Sequence, residues 1–179
     1  MKKINHIPIE FESSLLFFKS QMYHYFSFLQ DYNFTLTKEE SGQTKTFKDY
    51  FIDFTFTNGD TVIKIHFCTD IINGRKTAFP KLKDEELPGV DSQITCSIWD
   101  KNAFMSMHSF IETKFPEISK ASFTIILGCP DLDMEIKRVT KNYSDFIKTN
   151  LTEVLEKNTI YDCYTDRFYD KIFKEIHYL

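Results

Sequence analysis

His66, Cys68 and Asp70 stand at alternate positions in "KIHFCTD", residues 64–70. In an extended segment all three side chains point to one side. With Asp49 and Asp53 on a neighbouring strand they form a conceivable transition-metal cluster. A hard carboxylate and a soft thiolate on strands are not a recurring ligand spacing, however. The ordinary reading is that His66 stacks on Phe51 and Cys68 fills space. Cys129, in "GCPD" at 128–131, lies between an expected strand end and an expected helix start, where the helix dipole can lower a thiol's pKa and make it nucleophilic. No His is near it in sequence, and Glu135 stands where a Cys-x5-Arg loop would carry its Arg. An ordinary turn is therefore expected there. The four cysteines, Cys68, Cys96, Cys129 and Cys163, contain no CxxC pair, so neither a zinc ribbon nor a redox motif is visible. With five Gly in all there is no phosphate cradle, and neither HExxH nor a serine elbow occurs. The adjacent carboxylates Glu39-Glu40 and Glu85-Glu86 read as solvated loop residues. The expectation is a protein that is not an enzyme and needs no cofactor and no metal.

Contact with another macromolecule is the more promising chemistry. Trp99 with Asp100, and the segment "KLKDEELPGVDS" carrying Asp84, Glu85, Glu86 and Asp91, combine an aromatic anchor with a charged rim, the usual anatomy of an interface. The candidate partner-binding residues are Phe51 and Trp99 as anchors, with Asp53, Asp84, Glu85 and Glu86 steering a basic protein partner. A core tryptophan beside a solvated loop remains the competing reading.

Composition sets the frame. A chain of 179 residues, 42% hydrophobic and 27% charged, is most simply one globular domain, 1–179, able to bury roughly 70% of its unfolded surface. A net charge of −4 gives no reason to expect nucleic acid, since phosphate binding needs clustered Lys and Arg. The start "MKKINHIPIEFESS" lacks the apolar run and cleavage site of a signal peptide. No run of eighteen apolar residues is present to span a membrane. A cytoplasmic protein with reduced thiols and no membrane association is expected.

The elements that would position these residues follow from periodicity. Phe11, Leu15, Phe18, Met22, Tyr25 or Phe26, and Leu29 recur at intervals of four and three, which predicts a helix from just after Pro8 to near Asp31, with Asn33 accepting the left-handed conformation of its stop. Residues 38–46, "KEESGQTKT", read as a polar connection. Asn58-Gly59 between alternating apolar runs predicts a hairpin of 47–57 and 60–69 with these two residues as its loop. That loop sets Phe56 opposite Thr61, Phe54 opposite Ile63, Ile52 opposite Ile65 and Tyr50 opposite Phe67 on one face. On the other it sets Thr55 opposite Val62, Asp53 opposite Lys64, Phe51 opposite His66 and Asp49 opposite Cys68. Residues 73–92 form the longest irregular stretch. "QITCSIW", 93–99, and the apolar run at 122–127 read as strands, and "AFMSMHSFIETKF" between them favours helix. Ile136, Val139, Tyr143, Phe146 or Ile147, Leu151, and Val154 or Leu155 define a long helix within 132–157, capped by Asp131 or Asp133 and interruptible near Thr149 and Asn150. A final helix is expected at about 165–178. The fold class expected is α+β: an antiparallel sheet of about four strands, with the N-terminal helix and long C-terminal helices packed on one face.

Two stretches carry a resemblance. "FSFLQDYNF", 26–34, followed by a two-stranded aromatic ribbon, and "FIKTNLTEVLEKN", 146–158, resemble features of small bacterial immunity-type proteins encoded beside polymorphic toxins, over about half the chain. Asn33 stands where such proteins often have Gly, a tolerable exchange at a left-handed position. The resemblance implies a non-enzymatic cytoplasmic protein that binds and blocks a toxin, with no catalytic residues. Two alternatives stay open. One is a small-molecule module or enzyme with an aromatic pocket around Tyr50, Phe54 and Phe67 closed by 73–92; the other is a homo-oligomer joined through an edge strand.

Overall fold

The computed structural model describes residues 9–43, 50–68, 94–100, 103–125, 131–157 and 160, with side chains from Glu12 onward. The described elements run α1 (Ile9–Tyr25), β1 (Thr35–Gln43), β2 (Tyr50–Asn58), β3 (Thr61–Cys68), β4 (Ile94–Trp99), β5 (Phe104–Ser106), α2 (Met107–Lys114), α3 (Leu132–Asn150) and α4 (Thr152–Lys157). The strands form one five-stranded antiparallel sheet in the order β1-β2-β3-β4-β5. The fold is thus α+β, with its helices packed on one side.

The helix α1 forms because Leu15, Phe18 and Met22 fall on one stripe, all buried. The chain then tightens into a 3-10 turn over Ser27–Tyr32 and stops at Asn33, whose φ is 61°. The Asn33 amide bonds the Gln30 carbonyl and the Phe34 amide bonds the Leu29 carbonyl, both at 3.0 Å. A left-handed residue with these two bonds is a helix stop that any Gly or Asn can make. Ser144 of α3 donates to the Tyr25 carbonyl at 2.7 Å, tying α1 to its helical neighbour.

In α3 every residue of the expected stripe is buried. Asp131 caps it by accepting the Met134 amide at 2.9 Å. The helix yields at Leu151 before α4 begins, where the interruption was expected. Arg138 fastens the preceding segment: its guanidinium pairs both oxygens of the buried Glu135, at 2.6 and 2.9 Å, and donates to the carbonyls of Ala121, Ser122 and Thr124.

Three expectations about the elements need correction. Residues 38–43 of the expected polar connection belong to a strand, β1, which is exposed along nearly its whole length and pairs with β2 through a register shift between Leu36 and Lys38. Residues 122 and 123 belong to a 3-10 turn, Lys120–Phe123, and not to a strand; the remainder of that expected strand beyond 125 lies outside the described residues. The sheet's last strand is instead β5, taken from "AFMSMHSFIETKF", whose remainder is the expected helix, α2. The helix expected at 165–178 and the 73–92 stretch also lie outside the described residues.

The hairpin keeps its faces but not its register. Ile52 pairs with Phe67, Phe54 with Ile65 and Phe56 with Ile63, a shift of two residues from the expected pairing. The loop is Gly59-Asp60, with Asn58 opposite Thr61. Gly59 has φ 55°, and Asn33 is the one described non-glycine residue at positive φ, so only the first central position of the turn is left-handed, as in a type II′ turn. Asn58 is committed elsewhere, its side-chain amide donating to the Tyr32 carbonyl at 2.9 Å.

Candidate functional site

Alternation along β2, β3 and β4 sends Ile52, Phe54, Phe56, Ile63, Ile65, Phe67, Ile94, Cys96 and Ile98 to the helix side, where all are buried. The opposite, outer face carries Phe51, Asp53, Thr55, Val62, Lys64, His66, Cys68, Thr95, Ser97 and Trp99 by the same alternation.

At the centre of that face Asp53 pairs directly with His66, and His66 in turn with Thr95. The imidazole Nδ1 lies 2.6 Å from Asp53 Oδ1, and the Lys64 ammonium lies 2.8 Å from Oδ2. Asp53 itself is only 7% exposed. Burial works against its charge, but the hydrogen bonds from His66 and Lys64 outweigh that and hold its carboxyl below the usual carboxylate value. An ionised carboxylate can only accept, so the proton between the rings and the oxygen belongs to Nδ1. The Asp53–Lys64 charge pair expected from the sequence is present, as a diagonal and not a facing contact.

Aromatic residues flank this polar centre. Phe51 pairs with Cys68 and with Gly42 of β1, and its ring lies 5.9 Å from that of His66 at a tilt of 30°. A Cβ on Gly42 would come within 3.2 Å of the Phe51 ring, so the missing side chain is what lets the phenyl lie over the edge strand. At the turn end Trp99 pairs with Val62 and Phe104, its ring 5.6 Å from that of Phe104. Phe51 and Thr57, the residue in line with Trp99 across the sheet, are six positions apart on β2, roughly 20 Å at 3.3 Å per residue.

The residues named from the sequence therefore divide. Phe51, Asp53 and Trp99 share one face, with the two aromatics at opposite ends of it. Asp53 is not a free steering charge, since both of its oxygens are taken. Asp84, Glu85 and Glu86 lie outside the described residues. Asp100 serves the fold, accepting the amides of Ala103 and Ile160, each at 2.7 Å. Sequence reasoning missed His66 as the partner of Asp53, together with Thr95, Ser97 and Phe104; the signal that would have found the first is the two-residue change of register.

Of the alternative pocket around Tyr50, Phe54 and Phe67, the closing segment 73–92 lies outside the described residues. Phe54 and Phe67 face α1, where Phe18 meets their rings at 5.9 and 4.9 Å. A narrow cleft of about 70 Å³ lies at one edge of that layer, between the end of α1 and β1, lined by Met22, Tyr23, Phe26, Phe34 and Leu36 among others. It holds no convergent set of polar groups. Among the described residues no group of three or more His, Cys, Asp or Glu side chains could hold a metal. Asp49, Asp70 and Cys129 lie outside the described residues, and Cys96 is a core residue whose thiol is pushed up by burial. No described helix is long and apolar enough to cross a membrane. Comparisons with protein families, with curated proteins and with solved structures found no match.

Proposed function

We propose that this chain is a non-enzymatic, cytoplasmic protein-binding module of the immunity type, which holds a toxin domain against the outer face of its sheet. The observation that carries the reading is the make-up of that face. Half-buried aromatics stand at both ends, and the ionic groups at its centre are neutralised by one another, so a partner can cover them without leaving a charge unpaired. Interface cores are built this way: depleted of free charge, with aromatic anchors supplying most of the binding energy. The helices α1, α2 and α3 pack against the sheet from the opposite side.

Assembly through an edge strand is less favoured. Among the described strands β1 is an edge nine residues long, but it carries Lys38, Glu39 and Glu40 and an irregular register, the features by which sheets blunt an edge against pairing.

Co-expression with the product of the gene encoded beside this one tests the reading. The expected result is a stable one-to-one complex and relief of that product's toxicity. A toxic neighbour that is neither bound nor relieved would overturn it.

A further inference from the structure

We propose that His66 is the polar recognition point of the outer face, presenting Nε2 as a fixed hydrogen-bond acceptor to an N–H or O–H donor of the bound protein. The inference rests on the binding reading above and adds to it the atom and the chemistry of the contact.

The argument begins with the lock on the ring. Asp53 lies on β2, directly across from His66, and its Oδ1 accepts a hydrogen bond from Nδ1–H at 2.6 Å. Lys64, two residues along β3 on the same face, holds Oδ2 at 2.8 Å and keeps that carboxylate from turning away. Phe51 lies against the ring at 5.9 Å and limits its rotation. With the proton on Nδ1, the neutral ring has its lone pair on Nε2. Among the described residues Nε2 makes no hydrogen bond, and the side chain is 32% exposed. The groups that bear on its charge are few. On β2 there is Asp53, and on β3 Lys64 and Cys68; β4 faces the ring with Thr95, which is uncharged, and Glu40 and Lys38 of β1 lie beyond Asp53 and pair with each other. A carboxylate fixing the imidazole's tautomer is the arrangement by which enzymes aim a histidine. On the outer face of the sheet the same lock aims Nε2 as an acceptor for a partner's donor.

Two measurements on the full chain decide it. Long-range nitrogen–proton NMR on the free protein should show His66 in the Nδ1–H tautomer, and Asp53→Asn should abolish that preference; a mixture of tautomers in the unsubstituted chain would overturn the proposal whatever binds. Affinity for the neighbouring gene's product should then fall about tenfold in His66→Phe, which keeps a ring and removes the acceptor. Binding as tight in His66→Phe as in the unsubstituted chain would sink the role of His66 and leave the inhibitor reading intact. Absence of binding by the unsubstituted chain would overturn both.

Discussion

Phe18 of α1 and Phe67 of β3 are in ring contact, their centroids 4.9 Å apart and their planes inclined by 40°. The same Phe18 ring meets Phe54 of β2 edge-on at 5.9 Å. One helix side chain therefore spans both strands of the central hairpin and fixes which face of it is inside. Phe54 is fully buried, and its replacement by Ala should cost about 3–5 kcal/mol, as for other buried aromatics. Urea unfolding reads this directly. A loss under about 1 kcal/mol would mean that α1 does not cover this face.

Arg138 offers a second test, because it holds the 3-10 turn Lys120–Phe123 and Thr124 after it onto α3. Its guanidinium satisfies the buried Glu135 carboxylate and three carbonyls of 121–124 at once. Arg138→Met should cost about 2–4 kcal/mol in urea unfolding by taking the guanidinium from the buried Glu135 carboxylate and from the three carbonyls. Adding Glu135→Leu should recover part of the loss, since the charge is gone while the carbonyls still lack their donor. Lys at 138 should not substitute, because an ammonium lacks the planar fork that reaches four acceptors.

Asp53 predicts a pH dependence whose sign is fixed. Its folded pKa lies below the ordinary value of 3.8. The stability it contributes is therefore complete above that value and is lost as pH falls through the lower, folded one. Asp53→Asn should destabilise by about 2 kcal/mol at neutral pH. The gap between variant and parent should close below about pH 4. Paired unfolding curves at both pH values check it, and a gap that persists unchanged in acid would mean that the carboxylate is not what holds His66 and Lys64.

The helices α1 and α3 and the inner face were legible in the sequence because burial there repeats with a fixed period. Leu15, Phe18 and Met22 announce α1, Ile136 to Leu155 announce α3 and α4, and even Asn33 could be read as a stop from its tolerance of positive φ. The hairpin register was not legible for a physical reason. A slip of two residues leaves every side chain on its own face, so hydrophobic alternation cannot tell Asp53–Lys64 from Asp53–His66. What decides it is that Asn58 bonds the Tyr32 carbonyl, a tertiary contact no local pattern contains. β1 was missed because nearly all of its side chains are exposed, and its pairing with β2 is made by backbone groups that all sequences share. β5 was hidden because a three-residue strand is too short to show a period. The outer-face site inherits these failures: Phe51, Asp53 and Trp99 could be named from their types, whereas His66 could be assigned its role only after the register was known.

The last prediction separates the energetic roles on the outer face. Trp99 is half-buried against Phe104 at the turn end of the sheet, so it presents a large rigid surface that loses little freedom on binding. Trp99→Ala should therefore chiefly speed dissociation of the complex, at least tenfold for an anchor worth about 2 kcal/mol. Phe51→Ala should act in the same sense but less, because that ring already covers Gly42 and leans on His66. Glu85→Gln with Glu86→Gln should instead slow association and flatten its dependence on salt if those residues form the steering rim. Stopped-flow association and chase dissociation with the neighbouring gene's product distinguish the cases. If Trp99→Ala and Phe51→Ala both leave the dissociation rate within about twofold, the partner docks somewhere other than this face.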